Sequence, residues 1–578
     1  MNKIDRVSAA RFSNSGGLTM ADITERISAD SQLSKIRKRD LVSAIKRFCQ
    51  MLGRDLSFMT ADIRVLKNAF ESLHPAQLGV SRKTLQTIKS NVLSAIRHAT
   101  GNKAGVSNLQ KLHPVWQDHM DKLPSRRFRA ALSRLARYCS SKDIAPKDVC
   151  DDVIDAFMNY VCTETFARKP KDIHRRTTRV WNEAVEKIPD WPQQRLSVPS
   201  FRKPRQSFPP AAFPSSFKKD VQDHAFWMSG QDIMVDNQPP KTCKPRTIQQ
   251  REKTIYLIAS ALVHEDWPIE NITTLADIVS VEAMKTALRH YFKKTNQRPT
   301  TFMHAMAKCI ISIARHYVDV DADHVEALKV FKRRLGSEPT GLTEKNKETL
   351  RQFEHDDNIL NLLNLPEHLM DPRALKKLLP YRRAVQVQLA LVLSILLHAP
   401  LRMNNLTHLR LDIHLARPGG QNGPVHVVIP EDEAKGAQTI EYPLLGYTRK
   451  LLDEYLSKYR PLICVEECPW LFPTKGGKCK AQQTLSQQVR ETVFKHTGLT
   501  ITPHQFRHLA AKLSLDDNPG NFETVRQLLA HKNGKSTTNY YAELQTVNAA
   551  RHYDRLLEQK REQLATNKLK RRQKGKRK

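Results

Sequence analysis

Long apolar runs are missing from this sequence. No stretch approaches the roughly 20 apolar residues that a membrane-spanning helix needs, and no apolar signal-peptide core follows the amino terminus. We therefore expect a soluble, intracellular, cytoplasmic protein with no membrane partner.

Cysteine is sparse and poorly spaced for metal binding. Nine cysteines are spread over 578 residues, and the closest set is Cys464, Cys468 and Cys479. That set lacks a fourth Cys or His at the spacing of a zinc site. No acidic cluster suited to catalytic metal ions lies near the arginines considered below. We predict no metal site and no cofactor, and interpret the cysteines as reduced thiols.

Acidic residues are scarce relative to basic ones. The chain has 94 Lys and Arg against 59 Asp and Glu, which gives a formal net charge of +35. So large a positive charge strongly attracts a polyanion. Nucleic acid is therefore the leading predicted partner.

Helical periodicity dominates the chain and is interrupted by proline-rich or polar stretches. The length and the 40% of hydrophobic residues allow several cores. We predict a flexible start at 1–25, helical bundles at 26–110 and 111–188, a proline-rich linker at 189–245, a third helical unit at 246–335, a further domain at 345–556, and a basic, disordered tail at 557–578. The three helical units are weakly similar to one another. Internal duplication would explain this similarity, and so would the general similarity of small helical bundles.

The apolar period changes to two in one region. Residues 425–429 and 439–444 alternate in this way and predict two strands joined around 432–436. A long buried helix is predicted just before them, around 385–396. The predicted fold class is therefore mainly α and multidomain, with a small antiparallel sheet.

The triplet His-x-x-Arg occurs three times, beginning at His414, His504 and His552. Only His504 follows a Thr-Pro pair, which is typical of a helix start whose open backbone N–H groups favour an anion. His504 and Arg507 lie one turn apart, so both point to the same face of that helix. Another histidine, His508, follows at once.

Four stretches resemble, in the right order, the conserved boxes of the tyrosine recombinases, or phage integrases. ITPHQFRHLA at 501–510 resembles the second box, and LRMNNLTHLR at 401–410 resembles the first. The segments LLAH at 528–531 and STTNYYA at 536–542 resemble the last box, and KGAQTIEYPL at 435–444 resembles the hairpin that carries the family's lysine. The resemblance covers about 381–556 well, and 246–319 moderately, as a SAM-like core-binding domain.

The resemblance implies an enzyme that breaks and rejoins double-stranded DNA without metal or ATP. The family's catalytic set falls on Arg402, Lys435, His504, Arg507, His531 and Tyr541. The two arginines offer planar, always-charged forks for the non-bridging phosphate oxygens. The family's nucleophile matches Tyr541, which would form a 3′-phosphotyrosyl bond, and its general acid matches Lys435.

The two histidines of the set have supporting roles in this interpretation. His504 would accept the proton of the nucleophile or donate to the phosphate, and His531 would donate a further hydrogen bond to the phosphate. The family further implies a tetramer on two DNA sites, accessory DNA-bending or partner recombinase proteins, and a location at the nucleoid.

Some assignments stay open on the residues alone. Counting forward from His531 favours Tyr540 as the nucleophile, whereas the preceding Thr-Thr pair and the following Ala-Glu-Leu favour Tyr541, which we choose. Lys435 also fits an ordinary turn lysine beside acidic neighbours. His508 fits either a core histidine behind the site or a phosphate ligand.

Two positions depart from the family pattern. Ala530 stands where the family usually has glycine, and Asn405 stands where it commonly has glutamate. Neither change removes a reacting group. Rival interpretations are a type IB topoisomerase or a telomere resolvase, which use the same chemistry, and a DNA-binding protein that does not cut.

Overall fold

The computed structural model describes residues 17–575 except 101–111, 168, 202–205, 233, 235–236, 339–340, 421–422, 435–437, 465–466 and 533. The described chain is mainly helical and has one three-stranded antiparallel sheet, which confirms the predicted fold class. The chain divides into two compact units. The first consists of Met1–Ser200 together with Gly341–Lys578, and the second consists of Phe201–Thr340. Among the described helices, none has the length and apolar character required to cross a bilayer.

A first helical bundle begins the described chain. Serine and aspartate side chains cap three of its four helices by accepting a backbone N–H of the first turn, and Thr19 caps the other in a capping box. The rings of Phe48 and Phe70 stack at 3.9 Å in its core. The helices are α1 (Met20–Ala29), α2 (Lys35–Met51), α3 (Ile63–Ser72) and α4 (Arg82–Ala99).

A second bundle follows and is built around tryptophans. Trp181 packs against both Trp116 and Trp191, and all three are buried. Burial of such large rings supplies much of the apolar contact of a small bundle. Its helices are α5 (Pro114–Asp121), α6 (Arg126–Ser141), α7 (Asp151–Thr163) and α8 (Pro170–Lys187).

The unit Phe201–Thr340 has a core of its own, to which each of its described α-helices except the last contributes at least two buried side chains. It consists of α9 (Ser215–Ser229), α10 (Pro245–Val263), α11 (Leu275–Ile278), α12 (Val281–Lys294), α13 (Thr301–Ile313) and α14 (Ala322–Arg334). The segment predicted as an extended linker, 189–245, thus contains helix α9. Phe213, Phe217 and Val221 bury themselves in this core, which explains why an ordered helix forms among the prolines.

The remaining part of the first unit surrounds one long buried helix. Both faces of that helix, α19 (Pro380–His398), lie in the core, with Val387 to Leu396 almost entirely inaccessible. Short helices precede and follow it: α15 (Glu344–Arg351), α16 (Asp356–Leu363), α17 (Leu365–Leu369), α18 (Pro372–Lys376) and α20 (Met403–Thr407).

The sheet has strand order β1-β2-β3 and lies after α20. β1 (Leu415–Ala416) pairs with β2 (Val425–Ile429), and β2 pairs with β3 (Ile440–Leu444) in the register Val427 to Tyr442. Alternate residues of β2 and β3 are buried, as the period of two predicts.

Five α-helices complete the described chain: α21 (Gly446–Glu454), α22 (Gln482–Thr497), α23 (Pro503–Asp517), α24 (Phe522–Leu528) and the long α25 (Gly534–Gly575). α25 runs through most of the predicted disordered tail 557–578, since Lys, Arg, Gln and Leu are good helix formers. The side chains of 557–565 are exposed. At the other end, α1 begins inside the predicted flexible start 1–25, since Met20, Ile23 and Ile27 are buried.

Candidate active site

The first turn of α23 fixes one wall of the candidate site. Thr502 and Gln505 form a capping box, in which the Gln505 side chain accepts from the Thr502 backbone N–H at 2.8 Å. Pro503 occupies the first helical position, where its missing N–H costs nothing. The helix start predicted from the sequence therefore orients the side chains of the next turn.

Arg507 lies in that next turn and is only 4% exposed. Its guanidinium donates to the backbone carbonyls of Pro400 and Leu529, which joins the end of α19 to the end of α24. Burial, and then repulsion from Arg402, lowers the pKa of Arg507 to about 10. The group is held rigidly and remains charged at neutral pH.

Arg402 immediately precedes α20 and is partly buried. Burial lowers its pKa, and the nearby Tyr442 phenol opposes that change. Neither Arg402 nor Arg507 forms an ion pair with any carboxylate in the described part of the chain. Two guanidinium groups close enough to repel each other, with no acidic partner, leave a positive site to which an anion is attracted.

Tyr442 is a member of this site that the sequence did not reveal. It points inward from β3, donates its hydroxyl to the Leu528 carbonyl at 2.6 Å, and interacts with both arginines. The alternation of the strand places residues 440, 442 and 444 on the buried face, and this pattern could have identified it.

Tyr541 lies at the amino-terminal end of α25 and is 2% exposed. Its hydroxyl is 2.9 Å from Nδ1 of His508, which is itself 5% exposed. Burial raises the pKa of Tyr541 above its ordinary range, and the nearby Arg507 opposes this increase. Burial also lowers the pKa of His508 to about 4, together with repulsion from His504, Arg507 and His531.

A chain of hydrogen bonds behind His508 fixes the orientation of its ring. Because the Gln505 carbonyl oxygen accepts from a backbone N–H, its amide nitrogen must be the donor to Asn346 Oδ1, at 3.0 Å. Asn346 on α15 then presents its own amide nitrogen to His508 Nε2 at 3.4 Å. In a neutral ring that accepts at Nε2, Nδ1 carries the proton. His508 therefore donates to the Tyr541 oxygen.

His531 follows α24 and faces the two arginines. Its Nδ1 is 3.0 Å from the buried hydroxyl of Thr537, and burial and then repulsion from Arg507 and Arg402 lower its pKa to about 4. The preceding residue, Ala530, has a φ of +47°. That value lies in the left-handed region, where glycine is favoured over alanine.

The other predicted site residues are placed differently. His504 is exposed, with its ring centroid 5.0 Å from that of His508. Tyr540 is 45% exposed and its ring lies 6.3 Å from that of Tyr541. Lys435 lies outside the described residues. The structure thus brings together Arg402, Tyr442, Arg507, His508, His531 and Tyr541, the arginine–tyrosine cluster.

Residues 368–547 match the model of the phage integrase family. Among solved structures, XerA recombinase is 14% identical and aligns over 58% of this chain and 98% of its own, with a TM-score of 0.24. A lambda integrase dimer bound to a COC' core site is 14% identical over 57% and 94% of the two chains, with a TM-score of 0.35. The Tn1549 transposon integrase in complex with circular intermediate DNA is 16% identical over 57% and 99%, with a TM-score of 0.32.

No curated protein sequence matches the chain significantly. The matched segment 368–547 includes the whole of the chain from Arg402 to Tyr541. This part of the chain forms a domain of the phage integrase family, the tyrosine recombinases.

Proposed function

We propose that the chain is a site-specific DNA recombinase that breaks and rejoins strands through a 3′-phosphotyrosyl bond to Tyr541. The family domain gives the class of reaction. The observation that carries the residue assignment is the arginine–tyrosine cluster, in which a phenol lies among two guanidinium groups and neutral histidines.

Phosphate is the anion that best fits the two arginines. Each guanidinium offers a planar set of N–H donors that matches two phosphate oxygens, and a pentavalent phosphorus carries more negative charge on those oxygens than the ground state does. Arg507 is already fixed by two backbone carbonyls, so it needs little reorganisation when DNA binds. Arg402 makes no ion pair within the described chain that the phosphate would have to displace.

The reaction is an exchange of phosphodiester bonds. Tyr541 loses its phenolic proton, its oxygen bonds to phosphorus, and the bond from phosphorus to the 5′ oxygen breaks as that oxygen takes up a proton. The energy of the bond is retained in the phosphotyrosine, so a 5′ hydroxyl of another strand can attack and release the enzyme. Lys435 is the proposed donor of the proton to the 5′ oxygen.

His508 and His504 have different proposed tasks. The hydrogen-bond chain through Gln505 and Asn346 supports His508 as a donor, which stabilises the phenolate rather than accepting its proton. His504 is exposed beside it and is the proposed proton acceptor or phosphate ligand. His531, neutral at pH 7, is the proposed further donor to the phosphate.

Double-stranded DNA is the proposed substrate, and the active assembly is proposed to be a tetramer that joins two DNA sites, with accessory DNA-bending or partner recombinase proteins. A solved lambda integrase tetramer is bound to a Holliday junction, which supports this assembly by analogy. We infer that the protein works at the nucleoid in the cytoplasm, where such a substrate lies.

Trapping the covalent intermediate tests the proposal. The full chain is incubated with a library of nicked duplexes of random sequence, and SDS-stable protein–DNA adducts are isolated and sequenced. We expect adducts with the wild type and with Tyr540→Phe and none with Tyr541→Phe. Adducts that persist in Tyr541→Phe overturn the assignment of the nucleophile, and an absence of adducts in all three proteins overturns the chemistry.

The products distinguish the rival activities. A recombinase joins strands from two different duplexes, whereas a topoisomerase returns relaxed circles and a telomere resolvase returns hairpin ends. Gel analysis of two labelled substrates in one reaction therefore separates the three.

A further inference from the structure

A basic cleft separates the two amino-terminal bundles. It has a volume of about 770 Å³ and lies between α4 of the first bundle and α6 and α8 of the second. Among the described residues, six cationic side chains line it: Lys89, Arg97, Arg134, Arg137, Lys169 and Arg176. None of them belongs to the family domain at 368–547.

Acidic groups are few in the described part of the lining of the basic cleft. Asp172 is the acidic residue in its lining, and that carboxylate already pairs with Arg175 at 3.0 Å. In the described part of the chain, neither Arg134 nor Arg176 forms an ion pair. Burial, and then repulsion from Arg176 and Arg137, lowers the pKa of Arg134. Like charges held this close destabilise the free protein unless an anion joins them.

Several of these cations are held in place by neutral groups. Arg97 donates to the Glu164 carbonyl at 2.8 Å, and Arg176 donates to the Ala130 carbonyl at 3.3 Å. The Lys89 ammonium lies 5.1 Å from the centre of the Phe166 ring. Such contacts orient the side chains without cancelling their charge, so the cleft is organised before any ligand arrives.

We propose that the basic cleft binds the phosphate backbone of DNA at a stretch outside the scissile position. An arginine guanidinium can bind two phosphate oxygens at once. A cleft with cations on three helices fits several successive phosphates of a nucleic-acid backbone rather than one small anion. The inference goes beyond the proposed recombinase chemistry, because it gives the amino-terminal bundles a binding role of their own.

The test compares two double variants of the full chain with equal changes in charge. Arg134→Gln with Arg176→Gln removes two cleft cations. Arg129→Gln with Arg179→Gln removes two exposed arginines on the same helices, outside the lining of the cleft. Binding of a random-sequence duplex is measured by fluorescence anisotropy over a series of salt concentrations.

We expect the slope of log K against log salt to become shallower by roughly 2 in the cleft variant and to stay near the wild-type value in the control, since each lost phosphate contact removes about 0.9. Equal slopes in the two variants overturn the proposal, as does a cleft variant that loses affinity for an acidic protein but not for DNA.

Two further measurements keep the result interpretable. Thermal unfolding of the cleft variant is expected at or above the wild-type temperature, because two mutually repelling charges are gone. Adduct formation on nicked duplexes at saturating protein is expected to be unchanged. The salt slope measures DNA binding and does not depend on strand cleavage. It therefore tests the basic cleft even if no variant forms an adduct, and the failure of one proposal can be distinguished from the failure of the other.

Discussion

Nδ1 of His508 lies 2.9 Å from the hydroxyl of Tyr541, and the opposite nitrogen of the same ring faces the amide of Asn346. This arrangement makes His508 a donor to the phenolic oxygen, although the conserved box would direct attention to His504. The relationship can be tested at both ends of the hydrogen-bond chain.

Replacing His508 with Phe keeps a planar ring and removes the donor. We expect strand cleavage to slow roughly 10- to 100-fold, which corresponds to one hydrogen bond to a developing charge. Asn346→Leu, which frees the ring from its fixed tautomer, should slow cleavage less, and the double variant should resemble His508→Phe alone. The measurement is single-turnover adduct formation, with DNA affinity as the control. If the effects of His508→Phe and Asn346→Leu on the cleavage rate were additive, the proposed hydrogen-bond chain would be contradicted.

The two arginines are expected to respond differently to lysine. Arg402→Lys should reduce cleavage by about 100-fold or more, since the bidentate fork is lost, and should change the free energy of unfolding by less than about 1 kcal/mol. Arg507→Lys should reduce cleavage by a similar factor, but it also leaves the carbonyl of Pro400 or of Leu529 unpaired and should cost about 1–3 kcal/mol of stability. The free energy of unfolding of each variant is measured in urea, and its cleavage rate in the adduct assay. Equal losses of stability in the two variants would argue against a structural role for the hydrogen bonds from Arg507 to the Pro400 and Leu529 carbonyls.

Several residues of this cluster could be predicted from the sequence, because they lie in the short boxes that carry the family resemblance. Arg402, Arg507, His531 and Tyr541 all lie in or beside the cluster. Tyr442 was missed because the alternation of β3 marks it only as a buried residue. That it lies beside the two arginines depends on how β3 packs in the fold. His508 was left undecided because its task depends on Asn346, more than 150 residues away in the chain.

Domain organisation was less predictable for a similar reason. The prolines of 189–245 indicated an extended linker, yet Pro214 directly precedes α9 and Phe217 inserts into a core made by distant helices. The composition of a segment indicates the entropic cost of ordering it. It does not show whether helices elsewhere in the chain offer an apolar surface on which the segment can pack. The fold class itself followed from periodicity alone.

Ala530 offers a test of local strain. Its φ of +47° costs an alanine about 1–2 kcal/mol relative to a favourable region, and glycine avoids this cost at the expense of greater freedom in the unfolded chain. We expect Ala530→Gly to raise the free energy of unfolding by roughly 0.5–1 kcal/mol. Ala511→Gly, inside α23, is the matched control and should lower it by about 1 kcal/mol. If Ala530→Gly lowered the free energy of unfolding as Ala511→Gly does, the backbone strain at Ala530 would be contradicted.

Stability should fall in mild acid because of the buried histidines. The pKa values of His508 and His531 are about 4 in the folded chain, below the ordinary value of 6.5. The unfolded chain therefore binds more protons between these values, so their contribution is fully present above about pH 6.5 and is lost as the pH falls towards 4. We expect a loss on the order of 1 kcal/mol per histidine between pH 7 and pH 5, measured by urea unfolding. The His508→Phe variant should lose less unfolding free energy than the wild type between pH 7 and pH 5. An equal loss in the two proteins would contradict the lowered pKa of His508.

The deep burial of Tyr541 has a consequence for the safety of the genome. A protein with this much positive charge meets many duplexes that are not its target, and each encounter is an opportunity for accidental damage. On the proposed function, a Tyr541 hydroxyl that is buried and hydrogen-bonded to His508 keeps the resting chain from nicking such duplexes. Exposure of that oxygen is then the proposed step at which a correct target is distinguished from the rest of the chromosome.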